Sequence, residues 1–442
     1  MKNIWTICKF IVPLGYQEIL SAASQIQSES TLLFILFSGS IVAFLASFLY
    51  VAILFGFRFS VHEVEGPFLL ALLEDFSTLV VLGVIWAFAT NALIFVLRMN
   101  EDIGWMFRGA YMFMYAHVAF ASVRHMHEIY VTHVRGVKYE ERNLQGKVYI
   151  VTGSNQGCGY ETTLAMVKMG ATVVMACRSM DKANKAKEAI IKASGVGPSK
   201  LIVMELDLSS FRSVRNFVKE FLALGVPLHG LVNNAGLMSH ERVETQDGLE
   251  MVVTANHFSH FLLSNLLVDV LDKTAKKEKG VGRVVTLSSA LHKNTPRFNF
   301  DDVMFAKPGA YSMFPNYSQS KLANILFTDA LQTRMDASNK SVVCNSVHPG
   351  CVMTDVSRNM HWLMRFGEKL AQPLLALLRK TPEEGAYCSV FAATSSAVEE
   401  KGIKGAYLFH CSPCSKGKGA TQAAADQLWE VSEQVVQQEF TH

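Results

Sequence analysis

Two long stretches near the start of the chain carry no charge. Residues 31–57 run for 27 positions and residues 76–97 for 22, with no polar face. A helix rises about 1.5 Å per residue and needs about 20 apolar residues to cross a bilayer, so both are predicted to span. Two buried helices of a soluble domain are the alternative, and the missing polar face weighs against them. A third stretch, 103–123, contains Arg108 and His117. A charge at mid-bilayer is costly, so spanning, lying in the interface and docking on the catalytic part all stay open. The first run starts some thirty residues in and lacks a small-residue cleavage site, so a removed signal peptide is not expected.

From Lys147 the pattern changes to short β-branched runs alternating with amphipathic segments. Strands are predicted at Lys147–Thr152, Ala171–Cys177, Leu201–Leu206, Gly230–Asn233, Arg283–Ser288 and Val342–Val347. Helices are predicted at Lys182–Ala193, Phe211–Leu224 and Gly248–Leu271, with a terminal one at Gln422–Gln438. Continuous apolar strands between helices indicate a parallel sheet covered on both faces. The expected organisation is a membrane region over residues 1–140, then one α/β doubly wound domain with a parallel Rossmann sheet over 144–442.

Composition narrows the function classes. The 442 residues are 50% apolar and only 18% charged, which excludes a disordered, highly charged chain. Lys plus Arg number 41 against 38 Asp plus Glu, a net charge of +3, so nothing argues for nucleic acid. Eight scattered Cys make no disulfide framework and favour a reducing, cytosol-facing compartment. Cys411 and Cys414 have metal-type spacing without a second pair, and no metal is expected. Arg98, Arg108, Arg124, Arg135 and Lys138 follow the second run, while the 58–75 link is acidic. The positive-inside rule therefore puts the long C-terminal part in the cytosol, on an internal membrane such as the endoplasmic reticulum. The sequons at Asn316 and Asn339 agree, since a lumenal glycan beside Tyr317 would obstruct that residue.

The candidate chemistry lies at the strand ends. Gly153, Ser154, Asn155, Gly157, Cys158 and Gly159 follow the first strand and open a helix. Glycines there let the backbone approach a pyrophosphate at the helix N-terminus, where free N–H groups favour anions. The second strand ends in Arg178 rather than an acid, which favours NADP(H), with its 2′-phosphate, over NAD(H). Tyr317 and Lys321 stand four apart, one turn from each other on a helix. An ammonium near a phenol is expected to lower its pKa from about 10 and make a proton donor and acceptor for a carbonyl–alcohol couple.

Together with Asn234-Ala235-Gly236, Asn256, Ser288-Ser289 and Pro349-Gly350, these elements resemble the short-chain dehydrogenase/reductase family over about residues 144–410. The runs Ala176–Ser179, Asn256–Leu263 and Ser320–Thr328 are similar to its retinol dehydrogenase branch. The C-terminal runs Lys380–Ala386 and Gly405–Phe409 are also similar to a polyprenol dehydrogenase of the family. The resemblance implies Tyr317 as general acid/base, Lys321 as its modulator and ribose contact, and Ser289 rather than Ser288 as the hydrogen bond to the substrate oxygen. It implies that Asn256 holds the water of a proton relay, that Asp207 lies near the adenine, and that Thr354 contacts the nicotinamide. The cofactor would be held by these groups with the glycine loop, Arg178, Asn234, Ala235, Gly236, Pro349 and Gly350.

The expected substrate is lipophilic. Residues 355–380 form a basic amphipathic stretch with Trp362, Leu363 and Phe366, suited to a bilayer surface or to a lid over an apolar pocket. The leading reading is a membrane-anchored oxidoreductase for a retinoid, polyprenoid, sterol or fatty aldehyde, with a homo-oligomer allowed. The competing reading is a membrane scaffold or redox sensor that retains a dinucleotide-binding domain.

Overall fold

The computed structural model describes residues 136–352 and 379–441. The expected spans, Thr354 and nearly all of the amphipathic 355–380 stretch lie outside them. Among the described residues no helix is long and apolar enough to cross a membrane.

Among the described residues, eight strands form one sheet: β1 Val148–Thr152, β2 Thr172–Cys177, β3 Leu201–Glu205, β4 Gly230–Asn233, β5 Gly282–Leu287, β6 Val342–Val347, β7 Tyr407–Phe409 and β8 Ser412–Cys414. Their order is 3-2-1-4-5-6-7-8. All neighbours are parallel except β7 and β8, so the expectation of a purely parallel sheet is corrected at one edge. There Phe409 pairs with Ser412 around His410 and Cys411, whose φ angles of 50° and 59° suit a two-residue hairpin turn.

Among the described residues, seven helices of twelve residues or more cover the sheet: α1 Gly157–Lys168, α2 Met180–Ser194, α3 Phe211–Ala223, α4 Ser259–Glu278, α5 Met313–Ala337, α6 Pro382–Thr394 and α7 Gln422–Val436. Strand alternation divides the core between the two faces. Ile150, Val174, Leu231 and Val284 point to the side holding Phe217, Phe261, Leu326 and Trp429. Val151, Val173, Val232 and Val285 point to the side holding Met166, Ile190, Cys388 and Ala392. Each fully buried Leu or Phe contributes about 1.5–3 kcal/mol, so both faces anchor the same strand register.

The helix expected over Gly248–Leu271 is broken. Glu244 and Glu250 bridge in an antiparallel pair, Met251–Val253 make one turn, and Thr254–Phe258 form a π turn before α4. A π turn adds one residue to the helical ladder and redirects the backbone carbonyls. Asn256 sits in that turn.

Candidate active site

Strand order reverses between β1's neighbours, β2 on one side and β4 on the other. The crevice at such a switch point receives the loops leaving the carboxyl ends of the strands. The loop after β1 turns at Gly153 and Gly157, with φ of +64° and +58°, a region that favours glycine. A Cβ on Gly159 would lie 2.4 Å from Asn234 Nδ2 and 2.5 Å from the Gly153 carbonyl oxygen. Hydrogen at this position lets the helix start and the two loops meet. α2, α3, α6 and α7 are capped by Ser179, Ser210, Thr381 and Thr421, whereas the Gln156 side chain makes no capping bond to α1. Free N–H groups at the start of α1 and the glycine-lined approach fit a dinucleotide pyrophosphate.

The loop after β4 joins this one. Asn234 Nδ2 donates to the Thr152 carbonyl at 2.8 Å, and the Ala235 N–H donates to Thr152 Oγ1 at 2.9 Å. Gly236 lies so that a Cβ would be 3.2 Å from Lys321 Nζ and 3.4 Å from Asn256 Oδ1. Ser154 is buried against Cys177, its Oγ 3.3 Å from that sulfur, and Asn155 is half-buried. Burial pushes the Cys158 thiol up to about 12, which removes it as a nucleophile at neutral pH.

Further along the crevice, Arg178 leaves β2 exposed to solvent. Asp207 follows β3, one carboxylate oxygen accepting from both the Ser209 N–H and hydroxyl at 2.9 and 2.8 Å. Pro349 and Gly350 follow β6, and Gly350 has φ of +89° against the buried Lys380 side chain. These positions bring every described cofactor candidate to one end of the sheet.

The reacting groups meet where β5 ends beside α5. Lys321, 3% exposed, donates from Nζ to the Leu287 carbonyl at 2.9 Å. Ser288 donates from Oγ to the Lys321 carbonyl at 2.7 Å and is buried. Ser289 is half-buried and only accepts, from the Leu291 N–H at 3.3 Å, so its hydroxyl hydrogen has no acceptor among the described residues. The doublet is thereby separated: Ser288 ties the strand to the helix, and Ser289 has a donor to offer. His292 holds that loop, Nδ1 2.6 Å from the Ser289 carbonyl and Nε2 accepting from the Gly417 N–H at 2.9 Å.

The electrostatics of the Tyr–Lys pair differ from expectation. Burial, with a smaller effect of the Cys158 thiol, raises the Tyr317 phenol above its usual value. Burial also lowers the Lys321 ammonium to about 8. Lys321 Nζ stands 5.5 Å from the Tyr317 ring centroid and gives its hydrogen bond to Leu287, so desolvation outweighs the ammonium's pull on the phenol. Tyr317 is thus held as a protonated donor, and its hydroxyl has no partner among the described residues.

Asn256 is held from several sides. Its Oδ1 accepts from the Leu237 N–H at 2.8 Å, and its Nδ2 donates to the Leu237 carbonyl at 3.0 Å and to Ser320 Oγ at 2.9 Å. The side chain is a clasp between loop and helix with both amide hydrogens taken, so a relay water would be held only as a donor, to the second Oδ1 lone pair or to the Asn256 backbone carbonyl. That carbonyl already accepts from His260 Nδ1 at 3.1 Å and keeps one lone pair. Sequence reasoning missed the places of His260, His292, Ser320 and Lys380 here. The four-residue step from Asn256 to His260 was the available signal, but it reads equally as helix packing.

The comparisons agree with this geometry. A family model for short chain dehydrogenases matches residues 147–300. Mouse retinol dehydrogenase 14 is 38% identical over 306 residues, covering 66% of this chain and 86% of that protein. Human polyprenol dehydrogenase is 39% identical over 268 residues, covering 60% of this chain and 77% of its own. The crystal structure of an uncharacterised protein from Mycobacterium paratuberculosis matches with a TM-score of 0.52 and 29% identity, covering 68% of this chain and 97% of the other. Relatives matched over most of their own length, on a fold whose strand ends gather these loops, show that the chain belongs to the short-chain dehydrogenase/reductase family.

Proposed function

We propose that the protein is a membrane-anchored, NADP(H)-dependent oxidoreductase that interconverts a lipophilic alcohol and its aldehyde or ketone. Residues 1–140 would supply the anchor and 144–442 the catalytic domain, facing the cytosol. The observation that carries the reading is that the Tyr317 and Ser289 hydroxyls each have a hydrogen with no acceptor among the described residues, on elements that Lys321 and Ser288 bolt together. Ser289 would donate to the substrate oxygen and fix its position. Tyr317 would give its proton to the oxygen as it becomes an alkoxide, and in the reverse direction its phenolate would take the proton of the alcohol. Lys321 would hold the nicotinamide ribose and keep positive charge beside the phenol. The bound nicotinamide supplies or accepts the hydride. The exposed Arg178 supports NADP(H), because a guanidinium matches a phosphate in charge and geometry. Relatives named for retinol and polyprenol support a lipophilic substrate.

The test is a screen of long-chain and isoprenoid alcohols and aldehydes, using membranes that contain the full chain, with NADP(H) and NAD(H) in parallel. Turnover with NADP(H) that falls at least about 100-fold on Tyr317→Phe, with cofactor binding retained, is the expected result. Cofactor binding without turnover on any alcohol or aldehyde would favour the scaffold reading.

A further inference from the structure

His260 is 1% exposed and lies one turn beyond Asn256. Its two ring nitrogens touch the two halves of the site. Nδ1 is 3.1 Å from the Asn256 carbonyl oxygen and Nε2 is 3.0 Å from Thr152 Oγ1. A carbonyl can only accept, so the hydrogen is on Nδ1. In a neutral imidazole Nε2 then accepts, and the Thr152 hydroxyl donates to it at the shorter distance, its alternative acceptor being the Val232 carbonyl at 3.5 Å.

The same hydroxyl oxygen accepts from the Ala235 N–H at 2.9 Å. On the other side, Asn256 Nδ2 donates to Ser320 Oγ at 2.9 Å, and Ser320 Oγ donates to the Tyr317 carbonyl at 2.8 Å. Bonds of settled direction therefore run from the loop after β4, through Thr152 at the glycine turn, through the imidazole to Asn256, and through Ser320 to the backbone of Tyr317. The Asn256 side chain joins the loop after β4 to the catalytic helix directly, and His260 is a second side chain that ties the two halves, by way of Thr152 at the glycine turn.

We propose that His260 is a positioning residue that sets the dinucleotide loops and the Tyr317 helix turn in one fixed relation. The position needs a donor at one end and an acceptor at the other. Lys and Arg offer donors only, a carboxylate acceptors only, and an aliphatic side chain neither. A buried amide or a neutral imidazole meets the requirement. Burial, with smaller effects from its neighbours, holds the imidazole pKa near 4, so this arrangement persists at neutral pH. Losing the link would leave the buried Thr152 hydroxyl only the longer bond to the Val232 carbonyl at 3.5 Å and remove the imidazole's tie between the π turn and the glycine turn.

The inference rests on the oxidoreductase reading, and Tyr317→Phe measured alongside separates the two. Three variants of the full chain are compared: His260→Leu, His260→Gln and Thr152→Val. A displacement of the tyrosine by a fraction of an ångström should lower kcat of His260→Leu by roughly 10- to 100-fold, with KM for a short aldehyde changed less than about twofold. Loosened loops should raise its NADPH dissociation constant by about tenfold, read by fluorescence without turnover. His260→Gln, which restores a donor and an acceptor, should recover both values to within about threefold. Thr152→Val removes the hydroxyl's bonds to both His260 and the Ala235 N–H and should show a defect at least as large as the Leu variant, so wild-type values in it would overturn the proposal even if His260→Leu does not fold. Wild-type NADPH affinity and kcat in His260→Leu would overturn it. So would a Gln variant as impaired as Leu at equal melting temperature, which would mean packing alone. Turnover that survives Tyr317→Phe would sink the oxidoreductase reading instead, leaving the NADPH affinities to decide on His260.

Discussion

The fold stores acid sensitivity in buried histidines. His257 and His348 are lowered to about 3, and His260 and His292 to about 4, burial being the largest cause for each. In the unfolded chain each titrates near the ordinary value of about 6.5, so between these limits the unfolded state binds more protons than the folded one. Stability is then full above about pH 6.5 and falls as the pH drops toward the folded values. From pH 7.5 to 5.5 each histidine should remove about 1 kcal/mol, and the four together about 4–5 kcal/mol. That is a large part of a typical 5–15 kcal/mol domain stability, and corresponds to a melting temperature lower by roughly 10 °C. His292 is the test position, because its protonation would set an Nε2–H against the Gly417 N–H that it now accepts from. Intrinsic fluorescence melts of the solubilised chain at the two pH values measure the loss, and His292→Gln should reduce it by about 1 kcal/mol. An unchanged melting temperature at pH 5.5, or a Gln variant with the full acid loss, would refute the reasoning.

Three further outcomes follow from the geometry. Gly159→Ala would drive a Cβ into the Gly153 carbonyl and Asn234, and should cost about 1–3 kcal/mol of stability and weaken NADPH binding, read by thermal melts and titration. Arg178→Ala should weaken NADPH binding by about 1.5–3 kcal/mol and spare NADH, and equal loss of both would show that the side chain does something else. In sealed microsomes protease should digest the catalytic domain and Asn339, which is exposed, should carry no glycan, whereas protection with a glycan at Asn339 would reverse the proposed topology.

Much of the sheet was legible because buried parallel strands are continuous apolar runs. β1 to β6 fall within about one residue of their predicted bounds. β7 was not legible, since three residues carry no period, and β8 holds Pro413, which suits an edge but masks a strand. The π turn at Asn256 was hidden because it changes hydrogen-bond register without changing composition. Residue types named the site, but could not say which partner each group had already taken. Lys321 turns its ammonium to a backbone carbonyl, Asn256 uses both amide hydrogens, and Ser288 is tied where Ser289 is not. The sequon at Asn316 was misleading for the same reason. That side chain is 1% exposed inside α5 and cannot receive a glycan in the folded state, so Asn339 is the informative site.

The packing of α7 has a consequence for how the protein is made. Trp429 sits edge-on to Phe261 at 4.8 Å and stacks near Phe327, while Arg215 donates to the Val436 carbonyl at 2.9 Å. Residues around 430 therefore complete a wall begun by residues around 215, 261 and 327. Synthesis proceeds at about 5–20 residues per second, so the aromatic face of α4 waits roughly 10 to 35 seconds for its cover. During that interval Phe261 and Phe327 are sticky surface on a nascent chain, which makes this domain a client for chaperones until the strand of synthesis reaches α7. A premature stop between Lys380 and Thr421 would leave the dinucleotide loops encoded and still yield a chain that aggregates, so its damage would show as lost protein rather than as a slow enzyme.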